Sequence, residues 1–152
     1  MTVPPELYAP FRPRAARVVS LVLILLTLLG AAAIIVFMPG LENVAFEIGD
    51  QIGTAATALL ICWFCYRQYS VAAVPDENGL TVRNLILSRR LAWAEIISVR
   101  FGDGRPWVQL DLADGGTLAV MGIQSADGAR AAQQARRLAT LVAVHEGRDT
   151  SS

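Results

Sequence analysis

The sequence predicts an α+β protein in which two apolar helices precede six to seven short antiparallel strands and one amphipathic C-terminal helix. Three observations carry that expectation. The long uncharged runs all lie before Arg67; from Tyr69 onward the pattern changes to short segments that alternate apolar and polar residues between turn residues; and the end of the chain shows helical spacing instead. Hydrophobic residues make up 54% of the chain, above the roughly 45–50% of an ordinary soluble domain. The excess belongs to the first part and calls for lipid.

Val18 to Met38 carries no charge, and at ~1.5 Å per residue a helix of that length covers about 30 Å of hydrocarbon. Pro39-Gly40 is its natural stop. The second uncharged run, Gln51 to Tyr66, is shorter. It spans if its helix begins near Phe46, with Glu47 and Asp50 at one interface and Trp63, Tyr66 and Tyr69 as an aromatic anchor at the other. The expected organisation is a tail over 1–17, a transmembrane hairpin over 18–66 with helices at about 18–38 and 47–66, a folded domain over 67–147, and a polar tail over 148–152.

Arg12, Arg14 and Arg17 precede the first helix and Arg67 follows the second, whereas the connection holds Glu42, Glu47 and Asp50 but no arginine. The positive-inside rule then puts both termini in the cytoplasm of a multi-pass protein of the plasma membrane. A signal peptide is the competing reading, since three arginines, an apolar stretch and Ala31-Ala32-Ala33 resemble its three regions. The apolar run continues through Ile34, Ile35, Val36 and Phe37, which a cleaved signal does not need. Gly49, Gly53 and Thr57 recur every fourth residue and form a small-residue helix-packing face, for the first helix near Gly30 to Ala33 or for a second copy of the chain. Cys62-Trp63-Phe64-Cys65 has the spacing of redox and metal motifs, but no second ligand pair and no βαβ context accompany it. It reads as two small buried hydrophobes, with no metal site.

In the folded domain, Val71 to Val74 is the first expected strand and Pro75 to Gly79 its turn. Leu80 and Val82 face one way, Thr81 and Arg83 the other. Leu85 to Leu91 continues after a bend, with Ser88, Arg89 and Arg90 at a strand end. Ile97, Val99 and Phe101 alternate with Ser98 and Arg100 until Gly102-Asp103-Gly104; Val108, Leu110 and Leu112 alternate with Gln109 and Asp111 until Asp114-Gly115-Gly116; Leu118 and Val120 point inward on the strand Thr117 to Met121. Asp127 then caps a helix whose Ala131, Ala135, Leu138 and Val142 share a face, with Arg130, Gln134 and Arg137 elsewhere around it and Gly147 at its end.

The run Glu77-Asn78-Gly79-Leu80-Thr81-Val82-Arg83-Asn84, followed by Arg89-Arg90-Leu91-Ala92-Trp93-Ala94-Glu95-Ile96, resembles a recurrent stretch of bacterial PH domains. Phe101, Pro106-Trp107 and Ile123 to Gly128 further resemble the actinobacterial group named after low molecular weight protein antigen 6. That group also carries a short transmembrane hairpin ahead of its PH domain, so the resemblance covers nearly the whole chain. Its usual proline before the tryptophan is Ala92 here. The resemblance implies a PH-like bent sheet or barrel plugged by the C-terminal helix, and an actinobacterial source agrees with the absence of lysine.

Charge excludes one class and chemistry another. Thirteen basic residues balance thirteen acidic ones, counted as 13 and 13, which gives no footprint for nucleic acid. His145, the single histidine, lies near the end of the last helix and reads as a solvated surface residue. Gly102-Asp103-Gly104 lacks the phosphate-loop frame, and Asp103, Asp111 and Asp114 lack the alternation of a calcium loop. No enzyme and no cofactor are expected. What remains is an arginine set, Arg83, Arg89, Arg90, Arg100 and Arg105, on a domain joined directly to the membrane segment; arginine forks suit phosphate and carboxylate. Glu77, Glu95, Asp103 and Asp111 partly match these charges, so ordinary solvated strand residues are the competing account. Trp93 and Trp107 are expected as structural anchors. The sequence thus predicts a non-enzymatic, membrane-anchored interaction module for a protein partner, a membrane complex or a second copy, with anionic-lipid headgroup binding as the alternative. A transporter subunit is a third class, but two helices without an intramembrane charge offer no ion path.

Overall fold

The structure is a computed structural model that describes residues 4–41 and 45–149. Glu42 of the expected connection and residues 150–152 of the expected polar tail lie outside the described residues. The chain forms two compact units: Ala16–Tyr69, and the residues up to Ala15 together with those from Ser70 onward.

Two helices make the first unit. Helix α1 (Arg14–Phe37) begins earlier than its uncharged run and ends where Pro39 forces the 3-10 turn Met38–Gly40. Helix α2 (Ile48–Tyr69) opens on a local cap, in which the Glu47 N–H donates to the Asp50 carboxylate at 2.9 Å. Both are long and apolar enough to cross a membrane. Their leucines, valines and isoleucines are exposed along most of each helix, unlike those of a buried helix in a soluble core. The guanidinium of Arg17 lies 4.6 Å from the ring centre of Tyr69.

The second unit has six strands in two antiparallel sheets. Strands β1 (Ala72–Asp76), β2 (Gly79–Arg83) and β3 (Ser88–Ala92) form one, and β4 (Ile96–Arg100), β5 (Trp107–Leu112) and β6 (Thr117–Gln124) the other. Helix α3 (Ala129–Asp149) follows. The alternation in sequence becomes the two faces of each sheet: Leu80, Val82, Leu91, Val108, Leu110 and Val120 are fully or almost fully buried, and Ala131, Ala135, Leu138 and Val142 of α3 close over them. The sheets approach closely at β1 and β6. A Cβ on Gly122 would lie 2.8 Å from the Ala73 nitrogen and 3.0 Å from the Phe11 carbonyl oxygen, so only glycine fits there. The turn between β4 and β5 passes through three consecutive positive φ angles at Gly102, Asp103 and Gly104, which explains its composition.

Several expectations change for reasons that are not local. The expected strand Leu85 to Leu91 begins only at Ser88, because the Asn84 side chain is committed elsewhere: its amide donates to the Ala119 carbonyl at 2.7 Å and accepts from the Met121 N–H at 3.1 Å, stitching β2 to β6. Asp127 does not cap α3. It sits in a 3-10 turn before that helix, and its carboxylate accepts the N–H groups of Arg14 and Ala15 at 2.9 and 2.8 Å. Gly147 does not end α3, which runs to Asp149. The residues before the first helix are not a detached tail. Phe11 is fully buried and pairs with β1 through two backbone hydrogen bonds to Ala73, at 2.8 and 2.9 Å.

Candidate binding surface

The five arginines singled out in the sequence are spread over both sheets. Arg83 is exposed at the end of β2, Arg89 and Arg90 are exposed on β3, Arg100 ends β4, and Arg105 lies in the loop before β5. Four of them face an aspartate of their own: Arg89 with Asp114 at 3.6 Å, Arg90 with Asp76 at 2.9 Å, Arg105 with Asp103 at 3.4 Å, and Arg100 with Asp111. Two of these pairs arise from strand register, whereas Arg105 and Asp103 are neighbours within one loop. Asp76 and Arg90 lie diagonally across β2, while Ser98 and Asp111 stand directly opposite, next to the Arg100–Gln109 pair. The Ser98 hydroxyl holds the Asp111 carboxyl below its usual value; burial opposes this, and Arg100 adds to the lowering. The set is therefore a series of exposed ion pairs and not one unneutralised basic patch. Arg83 alone of the five has no ion pair among the described residues.

The recurrent motif residues hold the fold. Trp93 is buried and donates its indole N–H to the Asp76 carbonyl at 3.0 Å, and the Glu95 carboxylate accepts the Ala92 N–H at 2.6 Å. A Cβ on Gly79 would lie only 2.0 Å from the Leu91 carbonyl oxygen. Trp107 is half-buried at the start of β5, opposite Gln124. His145 corrects the expectation of a surface histidine: it is 6% exposed and its ring stacks on Trp93 at 4.6 Å between centroids. Its Nδ1–H meets the Leu141 carbonyl at 2.8 Å, which leaves Nε2 to accept from the Tyr8 hydroxyl at 3.1 Å. Apolar periodicity at Leu138, Leu141 and Val142 is a signal that could have found it, since His145 follows Leu141 by one helical turn.

Outside these residues, the loop between β2 and β3 exposes Ile86 and Leu87, 81% and 70% accessible. In the helical unit, Gly49, Gly53 and Thr57 line an open groove with Leu26, Gly30 and Ile34. A Cβ on any of Gly30, Gly49 and Gly53 would meet nothing within 4 Å, so this small-residue face is not packed against α1 at those positions. Cys62 and Cys65 are free thiols, and no cluster of three metal-binding side chains occurs among the described residues.

A second group of polar residues, Arg130, Gln134 and Arg137, lies around the last helix away from its apolar face. Arg130, Gln133, Gln134 and Arg137 of α3, with Leu7 of the N-terminal segment, line a pocket of about 420 Å³. Arg137 donates to the Ala9 carbonyl at 2.7 Å and its guanidinium lies 4.0 Å from the Phe11 ring centre. Burial, and then the positive charge of Arg130, push its pKa below the usual arginine value.

Residues 71–140 match the family model of the bacterial PH domain. Three uncharacterized mycobacterial proteins, one from Mycobacterium bovis and two from strains of Mycobacterium tuberculosis, are each 35% identical to this chain over 92 residues, which is 60% of this chain and 60% of theirs. The chain thus spans about three fifths of the length of the curated relatives it matches, 60% in each case. No solved structure matches it.

Proposed function

We propose that this chain, whose residues 71–140 match the family model of the bacterial PH domain, is a non-enzymatic interaction module held at the inner face of the cell membrane by α1 and α2, and that its PH-like domain binds a protein partner. The observation that carries this reading is the pairing of Arg89, Arg90, Arg100 and Arg105 with aspartates. A surface whose arginines are already neutralised has little attraction left for an anionic bilayer, whereas Ile86 and Leu87 offer apolar area of the kind that protein contacts bury. The fold alone decides nothing here, since one fold hosts many functions.

The membrane placement is supported by the exposed apolar surfaces of both helices and by the arginines that flank them. Connectivity supports it as well. Phe11 pairs with Ala73, α1 begins just after the first and α2 ends just before the second, so the helices are an insertion closed at its base by one strand pair. A hairpin inserted there keeps both of its ends on one side of a membrane. A reporter fused after Ser152 should accordingly be active in the cytoplasm, and alkaline phosphatase activity in its place would overturn the topology.

Partner binding is tested with the full chain in native membranes, carrying a photo-crosslinking side chain at Leu87 and extracted in mild detergent. A defined protein adduct that survives Arg89→Gln with Arg90→Gln supports the reading. Adducts to anionic lipid alone, lost in that double variant, would establish the lipid alternative instead. Neutralisation is the right change, because reversal to glutamate would set like charges beside Asp114 and Asp76 and perturb the fold.

A further inference from the structure

Three buried polar atoms without a hydrogen-bond partner meet in one place: Nε of Arg130, Nε of Arg137 and Oε1 of Gln134. All three side chains line the pocket beside Leu7. Their spacing along α3 puts them on one face over two turns. A buried polar group left unpaired costs about 1–3 kcal/mol, more when charged, so such groups are ordinarily matched by protein, water or ligand. Neither arginine has an ion pair among the described residues. Asp127, close in sequence, has both carboxylate oxygens engaged by Arg14 and Ala15.

We propose that this pocket binds a phosphate oxyanion, either free or carried on a lipid headgroup. Arg137 is preorganised for it: the bond to Ala9 and the stacking on Phe11 fix the guanidinium plane and leave its Nε without a protein partner. Arg130 supplies a second fork two turns earlier on the same face of α3, and the mutual repulsion of the two cations is what an anion relieves. A half-turn of the Gln134 amide exchanges its oxygen for an N–H₂ donor. Donors from two guanidinium planes and an amide suit a tetrahedral dianion better than one planar carboxylate. A volume of about 420 Å³ exceeds that of a bare phosphate and leaves room for the group that bears it, with Leu7 as an apolar wall. This site is separate from the strand arginines and does not depend on the protein-partner reading.

The test uses the full chain in a neutral detergent with ¹⁵N-labelled arginine, reading the Nε–H resonances. Inorganic phosphate should move the Arg130 and Arg137 signals saturably, whereas potassium chloride at equal ionic strength should not. In a second arm, the chain is placed in nanodiscs of phosphatidylcholine alone or mixed with phosphatidylglycerol. Shifts with free phosphate assign a soluble ligand, and shifts only in the mixed nanodiscs assign a headgroup. Arg130→Gln should weaken either response by about tenfold or more. Gln134→Glu, nearly isosteric, should abolish it while leaving the fold intact, because the new carboxylate pairs with both arginines. Chloride shifts equal to those with phosphate, no response in either arm, or a response unchanged in both variants would overturn the proposal.

Discussion

Phe11→Ala separates a domain that begins at β1 from one that includes the segment before α1. The Phe11 side chain is fully buried, its ring supports the Arg137 guanidinium at 4.0 Å, and its backbone pairs with Ala73. Removing a buried phenylalanine ring costs about 3–5 kcal/mol, the transfer and cavity contributions together. The lost cation–π contact adds about 0.5–1 kcal/mol. The backbone hydrogen bonds survive the change. The expected loss is therefore about 3.5–6 kcal/mol, a large share of the ~5–15 kcal/mol available to a domain. Hydrogen exchange of the full chain in detergent, read on peptides from β1 and β6, isolates the effect from the helices. A loss of that size lowers protection by roughly a thousandfold, at about 1.4 kcal/mol per factor of ten. Phe11→Leu, which keeps most of the volume, should cost under about 1.5 kcal/mol. If Phe11→Ala lowers protection in β1 and β6 by less than about tenfold, the segment is not part of the core and the reasoning fails.

Asp127→Ala should destabilise the start of α1 by about 0.5–2 kcal/mol, seen as faster exchange of the Arg14 and Ala15 amides; unchanged exchange would show that another group caps that helix. Gly122→Ala should cost about 1–3 kcal/mol, because its methyl group meets backbone atoms of Ala73 and Phe11 that cannot retreat, and an unchanged melting temperature would contradict the close approach. Asp111 is held below its usual value chiefly by Ser98, so its contribution to stability is fully present above the unfolded-state value near ~3.9 and is lost as pH falls through the lower folded value. Ser98→Ala should raise the NMR titration midpoint of that carboxyl and move acid unfolding to higher pH; a midpoint that stays put would remove Ser98 as the main cause.

Alternation made the sheets legible. Leu80 and Val82, Val108 and Leu110, and the turns at Asp103 and Asp114 all fall where period-2 patterning and turn chemistry put them, because those signals are written within a few neighbouring residues. The failures share a different physics. Asp127 is a good cap by composition, and it does cap a helix, but one that begins at Arg14 on the far side of the sequence. Asn84 breaks a strand because its amide is bonded to β6. Phe11 stands among prolines in a segment with no period to read, and its burial follows from its pairing with Ala73 and its packing in the core, which come from distant sequence. The five arginines were legible as candidates, yet the neutralisation of Arg90 and Arg100 depends on strand register, which places Asp76 near Arg90 and Asp111 near Arg100. Arg130 and Arg137 were seen only as the polar side of a helix, since the segment that roofs them comes from the opposite end of the chain.

That segment also constrains the order of folding. The core of the PH-like unit needs Phe11, which is synthesised before α1, and β1 to α3, which come after α2. Joining Phe11 to Ala73 closes a loop over everything between them. For a flexible coil of that length, closure costs about 3–4 kcal/mol on a (3/2)RT ln n scaling, comparable with what burying one aromatic ring returns. A helical hairpin formed first removes that coil, because its two ends already lie near each other when the strands appear. On the membrane reading, insertion of α1 and α2 thus lowers the entropic cost of completing the domain, and the N-terminal segment becomes the element that couples anchoring to folding. The same segment supplies Leu7 to the anion pocket, Ala9 and Phe11 to the orientation of Arg137, and Tyr8 to the buried His145. Three of these contacts fall on the side chains of α3, so the binding face of that helix is complete only after the chain on both sides of the hairpin has come together.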